Sequence, residues 1–339
     1  MPDQPASLES QPPYRFHRLI GSHPLMMHLY ELIGLVAPTD VTVHIYGESG
    51  VGKELVADAI HHLSGRRAGR FAKVNCSTIP HNLLESTLFG HVKGAFTDAH
   101  RDQQGIVEYA HDGTIFLDEI GDVSPDMQVK LLRLLQSHEY SRVGEALTRK
   151  ADIRIITATN RHLEDLVARG RIREDFYYRI NVFPLRIPPL RNRSQDILAL
   201  SSYFISKFNQ RFSKSITGLS DEVAKLFEQY QWPGNVRELE NALEHAFVIA
   251  KSGAIEMQHL PDLLSHSDPA GLSQRVERQH YRSSHAIPVE EEKLAILDAL
   301  EASDGNKTKA AAMLGFSRVT LWKKLNRYGL ANHNSKMEH

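Results

Sequence analysis

The sequence predicts an α/β fold, a parallel sheet flanked by helices, followed by a smaller helical subdomain and a C-terminal all-α helix-turn-helix unit. Three observations predict it. Short β-branched or aromatic runs alternate with helical segments from about Arg18 to Pro188, the pattern of a parallel sheet with helices on both faces. Pro188-Pro189 then ends the alternation, and the periodicity from Gln195 to Leu264 becomes purely helical around a Trp232-Pro233-Gly234-Asn235 turn. After a stretch with no amphipathic period, helical spacing resumes at Glu290 and runs to about Leu330.

Element by element, the strand runs are VTVHIYG (41–47), FAKVNC (71–76), GTIFLDE (113–119), DIRIITATN (152–160) and RINVFPLRI (179–187). Between the first two, Leu55, Val56, Ala59, Ile60 and Leu63 fall on one helical face. The expected divisions are a flexible arm at 1–17, an α/β part at 18–188, a helical subdomain at 189–264, a linker at 265–288, a helix-turn-helix domain at 289–331 and a tail at 332–339.

Composition narrows the class. The 339 residues hold 40 Lys plus Arg against 41 Asp plus Glu, for a net charge of −1, with 41% hydrophobic and 24% charged residues. That is the balance of a folded globular protein. No apolar run reaches membrane-spanning length, and MPDQPASLES has no export signal, so the expected location is the cytoplasm, with no membrane partner. One cysteine, Cys76, rules out an intrachain disulfide and reads as a small buried hydrophobe. The 19 histidines form no HExxH or His/Cys ligand spacing. A neutral average says little about nucleic acid, because charge clusters locally.

The chemistry begins where Tyr46 ends a strand. Gly47-Glu48-Ser49-Gly50-Val51-Gly52-Lys53 comes next, and then a helix starts. Glycines let several backbone N–H groups point at one anion, the helix N-terminus adds its dipole, and Lys53 supplies a mobile charge for the β- and γ-phosphates. Glu54 stands where the general pattern has Ser or Thr, which removes the usual hydroxyl ligand of Mg²⁺.

A glycine turn before a helix also occurs without function, as do paired acids on a solvated surface. Here they occur together. Thr114-Ile115-Phe116-Leu117 is a buried-strand run ending in Asp118-Glu119, where Asp118 can hold Mg²⁺ and Glu119 can polarise an attacking water. The third strand ends in Asn160, either a turn residue or a group that orients the water or senses the γ-phosphate. Together these predict a nucleoside triphosphate site.

At the C-terminus, Glu290–Ala302, Asn306–Leu314 and Arg318–Tyr328 read as three helices, with Gly315-Phe316-Ser317 as the turn before the third. Ser317 suits an N-cap and Gly329 a stop. Residues 306–329 hold Lys307, Lys309, Arg318, Lys323, Lys324 and Arg327 and no acid, a footprint for DNA phosphates. Arg318 and Thr320 suit base edges; Lys323, Lys324 and Arg327 suit edges or phosphates. The alternative is a solvated basic helix in a small bundle.

Over about residues 18–330 the chain closely resembles the AAA+ activators of sigma-54 RNA polymerase, the bacterial enhancer-binding proteins. GESGVGKELVADAIH is similar to their Walker A segment, in which Glu after the Lys is usual; GTIFLDEIGD resembles Walker B, and ATN sensor I. The resemblance implies that Asn75 is a switch residue touching the Walker B glutamate, that Arg173 and Arg179 in IREDFYYRINV are arginine fingers for the neighbouring subunit, and that Arg237 in WPGNVRELEN is sensor II. It also implies a loop, Gly94-Ala95-Phe96-Thr97-Asp98-Ala99, that contacts sigma-54, with Asp98 in place of the family's second glycine. AAAMLGFSRVTLWKKLNRYGL is similar to the Fis-type domain of these activators.

The resemblance implies an AAA+ P-loop NTPase with a helical lid. Such a protein would bind upstream enhancer DNA as a dimer and assemble into a hexameric ring. It would use ATP to remodel the sigma-54 RNA polymerase holoenzyme. One alternative is a DNA-binding regulator that does not remodel sigma-54 because of Asp98. Another is a different AAA+ remodeller, which leaves the helix-turn-helix unaccounted for. About 17 residues precede Arg18, so no sensory domain is expected there, and control is expected from a regulatory partner protein, from expression level, or from nothing at all.

Overall fold

The computed structural model describes residues 15–265 and, further on, 293, 296–300, 303, 306–314, 321, 324, 325 and 328. The chain divides into two units, 1–266 and 267–339.

The first unit is built on a five-stranded parallel sheet. Its strands are β1 (Val43–Tyr46), β2 (Phe71–Asn75), β3 (Thr114–Asp118), β4 (Arg154–Thr159) and β5 (Phe183–Arg186), in the order β5-β1-β4-β3-β2. Neighbouring strands send alternate side chains to two separate cores. Ile115 and Leu117 of β3 and Ile155 of β4 pack beneath α3 (His81–Phe89), α4 (Pro125–Ser137) and α5 (Glu174–Ile180). Phe116, Ile156 and Ala158 pack instead against α1 (Pro24–Val36) and α2 (Lys53–Leu63). Two covered faces are what the unbroken apolar strand runs require. On α2, Val56, Ala59 and Ile60 are buried as the spacing predicts, while Leu63 at the helix end is exposed.

Three sequence expectations change. RINVFPLRI is not one strand: Arg179 and Ile180 finish α5, and only Phe183–Arg186 is extended. Phe176 and Ile180 are both buried, four apart, so a helical face overrides the β-branched composition. The stretch 195–264 is not purely helical either. It carries α6 (Gln195–Phe212), α7 (Asp221–Gln229) and α8 (Asn235–Ile249), but Ile216–Leu219 pairs in parallel with Gly253–Ile255. Of the expected arm, residues 1–14 lie outside the described residues, while Arg15–Phe16 pairs with Leu19–Ile20 and the Phe16 ring stacks on Tyr30 at 4.8 Å.

In the second unit Ile296, Ala299, Ala310, Ala311, Leu321 and Leu325 are buried against one another, with Leu300, Leu314 and Tyr328 beside them. Lys307–Met313 is a helix, here α9, with the Asn306 side chain accepting from the Lys309 N–H. Among the described residues no helix is long and apolar enough to cross a membrane.

Candidate functional site

Strand register gathers the candidate residues at one edge. Asn75 pairs with Asp118 across β2 and β3, and Thr159 with Tyr46 across β4 and β1. The phosphate loop, the acid pair and Asn160 therefore emerge side by side at the carboxyl ends of the strands, where open α/β sheets bind ligands.

The loop from Gly47 to Lys53 closes through left-handed Gly50 and Gly52, with φ of +80° and +103°. Gly52 is the N-cap of α2 and brings no side chain to the cap, so no capping group covers the helix N-terminus, although the Leu55 N–H already donates to the Gly52 carbonyl at 3.0 Å. Lys53 is buried; its Nζ donates to the Gly47 carbonyl at 3.1 Å and lies 3.5 Å from Glu119 Oε1. Val51 is buried under the loop.

Glu119 itself sits at φ +53°, an uncommon conformation for a residue with a Cβ. Its Oε2 accepts from the Thr159 hydroxyl at 3.4 Å and from the Asn160 N–H at 3.3 Å. Asn160 thus contributes its backbone here, and its side chain is exposed. Asp118 takes the Glu119 N–H on one oxygen at 3.0 Å and the Asn75 amide on the other at 3.3 Å. Burial, and then the neighbouring Glu119 charge, raise the Asp118 pKa above the usual range. Asn75 therefore holds Asp118, and not the glutamate that the resemblance implies.

An acid made costly by its surroundings favours a cation beside it. Among the described residues no cluster of three or more His, Cys, Asp or Glu could cage a metal. A lone carboxylate suits Mg²⁺ shared with phosphates and water. Cys76 is buried, and desolvation pushes its thiol up to about 12, so it is no nucleophile at neutral pH.

Two loop acids are engaged elsewhere. Glu54 points outward and pairs with Lys73 at 2.8 Å. Glu48 is taken by Arg191 at 2.6 and 2.8 Å and by the Asn235 amide at 3.1 Å, and the Arg191 guanidinium lowers its pKa. Each carboxylate therefore faces a cation of the protein, which offsets two negative charges close to the phosphate loop. Sequence reasoning missed Arg191 and Asn235; the Trp-Pro-Gly-Asn turn marked the place but not the partner. Arg237 does reach the loop, with its N–H on the Gly50 carbonyl at 3.3 Å and its guanidinium on Ser49 Oγ at 3.2 Å.

The two other arginines lie at α5. Arg173 is exposed and paired with Asp175 at 2.7 Å, whereas Arg179 donates to the Leu135 carbonyl at 2.7 and 3.0 Å. The 94–99 loop lies between the short paired strands Gly90–His91 and Gln103–Gln104. It is closed by Gly94 N–H to the Ala99 carbonyl at 2.8 Å. Phe96, Thr97 and Asp98 are exposed, and the Phe96 ring edge meets His91 at 4.9 Å. Gly94 is left-handed at φ +84°, while Asp98 is not among the residues with positive φ.

In the second unit Lys307 and Lys309 are exposed and Lys324 is half-buried. Ser317, Arg318, Thr320, Lys323 and Arg327 lie outside the described residues.

Comparison with known proteins finds three family matches along the chain. The Sigma-54 interaction domain matches residues 19–186, an AAA+ ATPase lid domain 191–276, and the Bacterial regulatory protein, Fis family, 288–328. The chain is 46% identical over 309 residues to Transcriptional regulatory protein ZraR of Klebsiella oxytoca, covering 91% of this chain and 68% of that protein. It is 44% identical over 313 residues to Nitrogen fixation protein AnfA of Azotobacter vinelandii, covering 92% of this chain and 58% of that one. Among solved structures, NtrX from Brucella abortus in complex with ATP aligns with a TM-score of 0.66 and 31% identity, over 92% of this chain and 69% of that one.

Proposed function

Because this chain belongs to the sigma-54-interacting AAA+ transcriptional regulators with a Fis-type helix-turn-helix, we propose that it hydrolyses ATP to remodel sigma-54 RNA polymerase holoenzyme at promoters, from enhancer DNA held by residues 289–331. The observation that carries this reading is the convergence of Lys53, Asp118, Glu119 and Arg237 on one phosphate loop. The match over 19–186 names the partner class.

In the proposed chemistry the loop amides and Lys53 bind the β- and γ-phosphates, and Asp118 would hold Mg²⁺, which neutralises phosphate charge when bound. Glu119 orients the attacking water and takes its proton. The new P–O bond forms as the bond to the β-phosphate oxygen breaks, and ADP leaves with that electron pair. Thr159 and the Asn160 N–H keep the Glu119 carboxylate aimed. Arg173 and Arg179 of a neighbouring protomer would stabilise charge on the transferring group, so turnover requires a homo-oligomer, proposed as a hexameric ring built from dimers. Phe96 and Thr97, with Gly94 and Ala95 as the pliant base of the loop, would press on sigma-54. The basic positions from Lys307 to Arg327 would bind the duplex.

The test is a sigma-54 binding assay with ATP and a transition-state mimic. A stable complex that Phe96→Ala abolishes while ATPase activity persists supports the reading. No complex with the wild type, but one with Asp98→Gly, identifies a DNA-binding regulator uncoupled by Asp98.

A further inference from the structure

One amide side chain ties the phosphate loop to the lid. Asn235 is fully buried and opens α8 at φ +53°, a left-handed conformation that Asn tolerates better than most residues. Its Oδ1 accepts the Leu190 N–H at 2.8 Å, and its Nδ2 donates to Glu48 at 3.1 Å and to the Ser49 carbonyl at 3.0 Å. Three segments far apart in sequence thus meet on one rigid group: the loop, the stretch after β5, and the lid. Arg191 grips the same Glu48 carboxylate with two bonds, a bidentate geometry that adds direction as well as strength. The approach is close, since a Cβ on Gly50 would stand 2.3 Å from the Gly234 carbonyl oxygen. Two residues beyond Asn235, Arg237 bonds to Gly50 and Ser49.

We propose that Asn235 is a positioning residue for the nucleotide. By clamping Glu48 and Ser49 to the start of α8, it sets how far Arg237 extends over the phosphate loop. It thereby sets how strongly the site distinguishes ATP from ADP, without touching either. The physical reason is leverage within one helix. Positions 235 and 237 share the first turn of α8, so a shift of the clamp moves the guanidinium with it, and Coulomb attraction to a terminal phosphate falls with distance. The proposal rests on the proposed ATP chemistry.

The experiment uses the full chain as wild type, Asn235→Gly, Arg237→Ala and the double variant. Glycine accepts the left-handed backbone, so only the amide is lost. Amide exchange at Arg237 without nucleotide reads the clamp itself. ATPase kinetics and binding of ATP and ADP read its consequence.

Faster exchange at Arg237 is expected in Asn235→Gly, with a roughly tenfold rise in KM for ATP, the scale of one hydrogen bond to a charged group. ADP affinity should move less than about threefold on the same scale. In the Arg237→Ala background the glycine should add less than about twofold, because coupled residues are not additive. Asn235→Asp, which sets a second carboxylate against Glu48 and has no N–H to give the Ser49 carbonyl, should behave like the glycine variant.

Equal losses in both backgrounds, or a lower melting temperature with an unchanged ATP-to-ADP ratio, would reduce Asn235 to a structural residue and overturn the proposal. If the wild type hydrolyses ATP but Arg237→Ala changes nothing, this proposal alone falls. If the wild type neither binds nor hydrolyses ATP, the ATP reading falls and takes the proposal with it.

Discussion

Lys53 Nζ lies 3.5 Å from Glu119 Oε1, so the cation of the phosphate loop and the carboxylate after β3 face each other across the site. Both are largely shielded from water, with side chains 8% and 17% exposed. In the proposed chemistry the pair would separate two roles that share one crevice, holding phosphate and activating water.

Lys53→Ala is expected to abolish nucleotide binding, because it removes the mobile charge and leaves Glu119 facing the phosphates. Glu119→Gln should keep binding and slow turnover by about 10²–10⁴-fold, the usual contribution of a positioned base. Fluorescent-nucleotide titration and phosphate release measure the two separately. A Glu119→Gln protein turning over at the wild-type rate would remove Glu119 from the mechanism.

The finger assignment predicts complementation between subunits. Arg173→Ala and Glu119→Gln should each be inactive alone, yet a mixture should recover hydrolysis to at least about tenfold above either, since some interfaces pair an intact Glu119 with an intact Arg173. Arg173 is the cleaner probe, because Arg179 also satisfies the Leu135 carbonyl at the end of α4. A mixture as inactive as its parts would place Arg173 outside the site.

His44 predicts an acid-sensitive fold. It is buried on β1 with Nδ1 2.9 Å from Thr157 Oγ1, and desolvation lowers its pKa from 6.5 to about 4. Between those values the unfolded chain carries a proton that the folded chain refuses. Stability is therefore full above about pH 6.5 and declines as the pH falls toward 4, by about 3 kcal/mol in all. Urea midpoints at pH 7 and pH 5 should converge for wild type and His44→Gln at the lower pH. A constant gap would show that His44 does not titrate differently in the two states.

Lys307 and Lys309 are exposed on α9, and each is expected to neutralise a phosphate. Lys307→Ala and Lys309→Ala should each weaken DNA binding evenly across sequences. Each should also lower the slope of log K against log salt by about 1. Titration of one specific and one unrelated duplex at several salt concentrations decides it; loss confined to one sequence would indicate base contact instead.

The parallel α/β sheet, the phosphate loop, the acid pair at the end of β3 and the basic C-terminal helices are all legible in the amino-acid order. Each is a local pattern: apolar runs, glycine spacing before a helix, and charge within one or two turns. Legibility ends where a distant partner decides. No alternation marks Ile216–Leu219 or Gly253–Ile255, three to four residues each, and they become strands only because α6 and α8 bring them together. Arg179 and Ile180 read as strand, yet Ile180 buries its side chain from a helix beneath the sheet.

The acids of the phosphate loop show the same divide. Glu48 and Glu54 sit in a nucleotide-binding motif, but Arg191, Asn235 and Lys73 claim their carboxylates. Asn75 reaches Asp118 through strand register. Spacing along the chain decides which backbone groups can cradle an anion. Tertiary packing decides which charges remain free to meet it, because the energy of a charge depends on neighbours that sequence distance does not reveal.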